Sequence, residues 1–441
     1  MMANIDCIDY ACGSARPRRL SIIDQASRAP HKPWFDRLDF FWDPLFEFQP
    51  RWRPNGHSIE RLVLNRRGEQ VKELAWEPSF TPLGSRLLRY SHHVRGVVAA
   101  LFGFHQLTAG QLAAHLGHDP STISRILKPM FEAGLVERAQ YAERCWHRKV
   151  DNVYRLRRDE PLERFLAGLD EAEQIAITLG LGLDHVGPWV RHNLMLADLV
   201  LRLEETAAGP LQAVFGERFA SSDRLLPGLP ARRVIFGDAC VVRGDGLRIV
   251  IELVRRQRDR DVEEKMKAWG RLLSEAPWTT TGTVVIFVNA SSPGRAHHDR
   301  ATSLRRCHAR ALSPEGLSTN IQGCQNARSS VYVSSLEEWF PRPWSISSDF
   351  THLVVGYTTD GRTWHRAALF PGELDNVIPF RPGQPEAWTK PSRVVVDPAG
   401  AAGILPSGGL AYYGTPNWLN GPIATSCSPA TAALRTGASD L

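Results

Sequence analysis

Leu107-Thr-Ala-Gly-Gln-Leu-Ala-Ala-His-Leu-Gly-His-Asp-Pro-Ser-Thr-Ile-Ser-Arg-Ile-Leu-Lys-Pro-Met-Phe-Glu-Ala-Gly-Leu-Val-Glu-Arg138 reads as two short helices joined by a tight turn. Thr108 with Gln111 three residues later is a capping-box start, Leu112, Ala113 and Leu116 follow helical spacing, and Gly117 is a stop. Asp119-Pro120 opens the second helix, with an acceptor at the N-cap and proline at the first helical position. Its apolar stripe is Ile123, Ile126, Leu127, Met130 and Phe131, leaving Ser121, Thr122, Ser124, Arg125 and Lys128 mostly outside. Pro129 is expected to kink or shorten the last turn, which Gly134 ends. Leu135–Arg138 and Val153–Leu156 then read as the two strands of a wing, and His92 to Phe104 as a first helix. Residues 107–158 thus have the pattern of a winged helix-turn-helix, whose second helix enters the major groove of duplex DNA.

Charge supports that use. Residues 86–158 carry 12 Lys/Arg against 5 Asp/Glu, a local +7, although the whole chain is only +6. A basic excess confined to one module is the footprint of a polyanion partner. Arg144, Arg148 and Lys149, with His147, lie at the expected wing tip, where they would hold phosphate; Ser121, Thr122, Ser124, Arg125 and Lys128 would meet bases and phosphates from the second helix.

With 441 residues, 43% of them hydrophobic and 23% charged, the chain has the composition of a globular protein of two or three domains. No apolar run is long enough to span a bilayer and no secretory signal is evident, so no membrane partner is expected. The 7 cysteines are scattered and odd in number, which suits reduced thiols and a cytoplasmic location. Cys145 with His147, and Cys307 with His308, lack the paired spacing of a structural zinc site.

The expected fold class is α/β (α+β multi-domain): a winged helix-turn-helix followed by an αβββαβ domain. Residues 1–85, with an aromatic cluster from Trp34 to Trp52, receive no assigned fold; they could be a small β-rich subdomain or a segment packed on its neighbours. Residues 86–158 are the winged helix, 159–187 a helical linker and 188–345 the α/β domain. Residues 346–441 comprise a hairpin around Asp360-Gly361 and a tail whose Gly, Ala, Ser, Thr and Pro content predicts disorder. Inside the α/β domain, Trp189 to Glu205 predicts a long helix, 238–242 a short strand, and Gly244-Asp245-Gly246 a hairpin turn. Arg248–Val254 and Thr283–Val288 are near-continuous apolar strands of the kind buried on both faces. Val262 to Ser274 and Arg300 to Leu312 predict helices, and Val331–Val333 a closing strand.

Asp238 and Glu252 interrupt otherwise apolar strands, and an acid there must be paired, protonated or bound to a cation. Two carboxylates on neighbouring strands suit Mg²⁺, which takes oxygen ligands. On the following helix Lys265 projects beside Trp269 and Leu272, toward the face formed by Val262, Met266, Trp269, Leu272 and Leu273, while Lys267 points away. An inward lysine should meet a carboxylate. The set Asp238, Glu252, Lys265 resembles the catalytic constellation of the restriction-endonuclease-like PD-(D/E)xK nucleases, with Lys265 on the helix supplying the lysine where the usual position is Val254. A buried ion pair fixing helix to sheet is the structural alternative.

The order of pieces also resembles the replication-relaxation protein family of actinobacterial plasmids, phages and mobile elements. It does so over roughly residues 90–345: the N-terminal winged helix, then His192-Asn-Leu-Met-Leu-Ala-Asp198, Asp238-Ala, Ile251-Glu252-Leu253, Lys265 and Val331-Tyr-Val333, while the family's Tyr-Leu-Thr run at the end of the wing is only partly matched by Tyr154-Arg155-Leu156. The resemblance implies a protein that binds double-stranded DNA in replication or mobilisation of an extrachromosomal element, together with other replication or mobilisation proteins and in a form compatible with a homodimer. In it the nuclease-like domain would be degenerate. Two alternatives stand beside this: a Mg²⁺-dependent nickase or endonuclease using Asp238 and Glu252 as metal ligands with Lys265 at the phosphate, and a winged-helix transcription regulator.

Overall fold

The computed structural model describes residues 21–22, 38–64, 67–80, 91–141, 152–178, 182–183, 189–209, 211–225, 234–243, 247–255, 257–275, 282–291 and 297–370. The expected wing tip, the turn at 244–246 and the tail after 370 lie outside these residues.

The winged helix forms as its local signals dictate. Helix α1 (Ser91–Phe104) is followed by the two-residue strand β5 (Leu107–Thr108), helix α2 (Ala109–Leu116) and helix α3 (Pro120–Glu132). Thr108 and Gln111 complete the reciprocal capping box, and Gly117 leaves the helix with φ 65°. The Asp119 carboxylate accepts the Ser121 amide, and Pro120 occupies the first turn. Ile123, Ile126, Leu127 and Met130 are buried. Pro129 lies inside the helix, which runs to Glu132 and stops before Gly134, as expected. It has no N–H to offer the Arg125 carbonyl, yet its own carbonyl accepts from Ala133 at 2.9 Å, and burial of Met130 holds the last turn in place.

β6 (Val136–Gln140) and β7 (Val153–Leu156) pair antiparallel as the wing, with β5 on the far side of β7. The fourth strand comes from the segment that the sequence left without a fold. β2 (Arg51–Arg53) pairs with β6, and the Arg155 guanidinium lies 4.1 Å from the Trp52 ring while its side chain bonds Glu137 at 2.7 Å. Next in the chain, β3 (Gly56–Leu64) and β4 (Gln70–Pro78) form a two-stranded antiparallel ribbon of their own. A further two-residue strand, β1 (Ser21–Ile22), runs parallel to β13 (Ser345–Ile346).

Helices α4 (Glu160–Ala167) and α5 (Glu171–Thr178) occupy the expected linker, and Glu173 of α5 pairs with Arg95 of α1, so this segment packs on the winged helix. Helix α6 (Val190–Thr206) then opens an αβββαβ run: β8 (Leu211–Gly216), β9 (Ala239–Arg243), β10 (Arg248–Val254), helix α7 (Asp259–Glu275) and β11 (Thr283–Asn289). The sequence named the order but located only two strands before α7. β8 escaped notice because it adjoins a stretch rich in Pro and Gly. Helices α8 (His297–Ala311) and α9 (Ile321–Arg328) precede β12 (Val331–Ser335).

Seven strands form one sheet in the order β15-β14-β12-β11-β10-β9-β8. β10, β11 and β12 are parallel, and every residue of β10 and β11 is buried, as their unbroken apolar sequences require. β14 (Val354–Tyr357) and β15 (His365–Ala368) are the hairpin expected near Asp360-Gly361, here hydrogen-bonded onto the edge of this same sheet.

Winged helix and α/β domain share one continuous core. Leu38, Phe40, Phe41 and Phe46 are buried at the junction, where Arg191 of α6 donates to the Phe40 and Phe41 carbonyls and pairs with Glu47. The Trp42 indole donates to the Phe340 carbonyl at 2.8 Å. The backbones approach closely at Gly216, where a Cβ would stand 2.3 Å from the Gly103 carbonyl oxygen at the end of α1. Gly216→Ala should therefore force two backbones apart and cost about 1–3 kcal/mol, read from the urea midpoint. An unchanged midpoint would mean that the two units do not meet there.

Candidate functional site

Two sites are defined by these elements. The first is the outer face of α3. Ser121, Ser124 and Arg125 are exposed and Thr122 half-buried in the first two turns of the helix, and Lys128 is exposed further along it. Thr122 accepts a hydrogen bond from Arg125 at 3.1 Å, and Ser124 bonds back to the Pro120 carbonyl. Lys128 stands 4.0 Å from Glu132, with 77% of its side chain exposed. Arg144, Arg148 and Lys149 lie outside the described residues.

The second lies at the ends of β9 and β10. The register sets Ala239 opposite Ile251, so the next step carries Asp238 beside Glu252. One Asp238 oxygen accepts the Leu253 amide at 2.6 Å and faces His192 Nε2 of α6 at 3.4 Å. Lys265 reaches both acids from α7, at 2.5 Å from Glu252 and 3.7 Å from Asp238. One turn further on, the Trp269 indole donates to the other Glu252 oxygen at 2.7 Å. The three residues that the sequence singled out thus converge. Sequence reasoning missed His192 and Glu217 as neighbours, since neither lies on the strand-hairpin-strand unit. Trp269 was legible as the i+4 neighbour of Lys265.

The electrostatics follow from burial and this geometry. Burial alone would raise the Asp238 carboxyl, but Lys265, His192 and the Leu253 amide outweigh it and hold it well below the usual carboxylate range. Glu252 is pushed up by burial, against the pull of Lys265, with the Asp238 charge adding to the rise. Burial would lower the Lys265 ammonium, yet Glu252 and Asp238 together raise it. His192 is likewise raised by Asp238 in spite of burial. Glu217, raised by burial and by Asp238, stands 3.6 Å from His105 Nε2, in the turn between α1 and β5. The charged cluster therefore extends to the winged helix.

This donor set does not fit Mg²⁺. Mg²⁺ demands open carboxylate oxygens in near-octahedral array. Here each oxygen of Glu252 already has a donor, Asp238 is taken by an amide, an imidazole and an ammonium, and the Lys265 ammonium sits where a cation would. Among the described residues no group of three or more His, Cys, Asp or Glu side chains could hold a metal ion. The Mg²⁺ that the sequence offers as one alternative would have to displace these donors.

Residues 91–156 form a winged helix-turn-helix, a module of the DNA-binding class. The family model for the bacterial regulatory protein, arsR family, matches residues 94–138, from α1 into the first wing strand. No curated protein and no solved structure matches the chain at a significant level. No helix of the described residues is long and apolar enough to cross a membrane.

Lys265→Met leaves two buried carboxylates without their shared cation. The expected loss is about 2–3 kcal/mol, below the range for a fully sealed pair because 39% of the lysine side chain stays exposed. Adding Glu252→Gln should recover part of it. Equal urea midpoints for the single and double variants would show that Lys265 does not serve that carboxylate.

Proposed function

We propose that this chain is a sequence-directed, double-stranded-DNA-binding protein of a plasmid, phage or mobile element, acting in replication or mobilisation, whose nuclease-like domain does not cut. The observation that carries DNA recognition is the exposed row Ser121, Ser124, Arg125 and Lys128 on α3, inside a module of local charge +7. Hydroxyl and guanidinium groups at that end of a recognition helix suit bases and phosphates of the major groove. The nuclease-like character is supported by the αβββαβ order and by the convergence of Asp238, Glu252 and Lys265. That the domain does not cut is supported by the burial of both carboxylates and by the Leu253 amide and Trp269 indole that already occupy them. The role in a mobile element rests on the resemblance to replication-relaxation proteins.

Arg125→Ala should weaken binding by about tenfold or more and relax sequence preference, whereas Lys128→Ala should lower affinity evenly across sequences and reduce the salt slope by about one. Gel shifts over a salt series check both. Unchanged affinity in both variants would take α3 off the DNA.

A second reading, a winged-helix transcription regulator, is favoured by the arsR-family match. Footprinting separates the two: sites confined to promoters support the regulator, and a site within a replication origin supports the first reading. A third outcome, a Mg²⁺-dependent nickase, is read on supercoiled plasmid. The proposal expects supercoils to persist with Mg²⁺ or Mn²⁺ present; nicking that disappears with Glu252→Gln would overturn it.

A further inference from the structure

Arg51-Trp-Arg53 is the outer strand of the wing sheet, and its alternation decides what it presents. Trp52 turns to one face, opposite Ala139 and beneath the Arg155 guanidinium at 4.1 Å. With Trp52 held there, the period of two places Arg51 and Arg53 together on the other face, and both are exposed.

That other face is already basic. Arg53 stands directly across from Arg138 of β6. Like charges so placed weaken a strand pair, and an anion lying over them would offset the cost. The Arg138 guanidinium lies 4.8 Å from the Phe131 ring near the end of α3, and Phe131 is the i+3 neighbour of Lys128 on that helix. Asn55, two residues past β2, reaches the Glu132 carbonyl at 3.5 Å and ties this end of the strand to the same turn of α3. Arg125, Lys128, Arg138, Arg53 and Arg51 therefore form one strip, from the recognition helix across the wing sheet to its outer strand. Glu137 of β6 is turned to the opposite face, where it pairs with Arg155, while Glu132 is an acid beside the strip, 4.0 Å from Lys128.

A strip of cations continuous with a helix that meets duplex DNA has the charge and the placement of a contact to the phosphate backbone. We infer that β2 is a DNA-contacting strand, with Arg51 and Arg53 holding phosphates beside the groove that α3 enters. The inference rests on the DNA-binding reading above and extends it to a segment outside the winged helix itself. Arg51 and Arg53 add two cations to the +7 of residues 86–158. Phosphates carry no sequence information, so the contribution of β2 is the same on every duplex.

Fluorescence anisotropy of the full chain on a labelled mixed-sequence duplex, over a salt series, tests it. R51A/R53A should weaken binding about tenfold or more and lower the slope of log affinity against log salt by about two, one for each phosphate given up. R51K/R53K should keep the wild-type slope, because lysine supplies the same charge. The urea midpoint of R51A/R53A should not fall, since Arg138 is relieved of a like charge. An R51A/R53A slope equal to the wild type's, in a protein whose affinity still falls with K128A, overturns the inference and leaves α3 on the DNA. A loss that R51K/R53K does not rescue is an effect on the strand rather than on phosphate, and overturns it too. A wild-type chain without affinity for the duplex overturns the DNA-binding reading itself, and this inference with it.

Discussion

A single ammonium, Lys265, answers two carboxylates that the sheet buries side by side, and the α/β domain closes around that arrangement. Asp238 and Glu252 are set in register by the β9–β10 hairpin, so neither can be moved from the other without breaking the ladder. Two acids so placed repel each other and lose water together. The helix after β10 supplies the remedy: Lys265 enters over the pair and Trp269 caps the remaining Glu252 oxygen. Burial of Val262, Met266, Trp269 and Leu273 fixes α7 in the one rotation that delivers both groups.

The cluster is not confined to its own domain. His192 from α6 approaches Asp238, and Glu217, at the end of β8, approaches His105 of the winged helix. Gly216 allows the two backbones to touch at the same place, and Phe102 packs on Phe219 beside it. Residues 38–48 reinforce the junction from the other direction, with Glu47 meeting both Arg191 and Arg255. The winged helix and the charged cluster thus belong to one packed body, with the outer face of α3 exposed among the described residues.

How much of this was legible depended on whether the determining signal was local. The capping box at Thr108, the Asp119-Pro120 start and the stop at Gly117 are decided within a few residues, and the winged helix could be read from them directly. Lys265 could be placed by helical periodicity alone, because α7 is strongly amphipathic. Long-range pairing was not legible. β2 completes the wing sheet from a segment with no strand signature of its own, β8 gains its place only through β9, and the β14–β15 hairpin gave no hint that it would extend the α/β sheet. Pro129 stands inside the helix, where its missing amide is a local cost and the burial of Met130 a tertiary gain. The Mg²⁺ alternative counted two acids without the donors that the fold brings to them.

Titration calorimetry of the full chain with MgCl₂ tests most directly whether Lys265 has taken the place of a metal ion. The account predicts no saturable binding that depends on Glu252 in the wild-type protein. A saturable Mg²⁺ site in the wild type that vanishes with Glu252→Gln would contradict it.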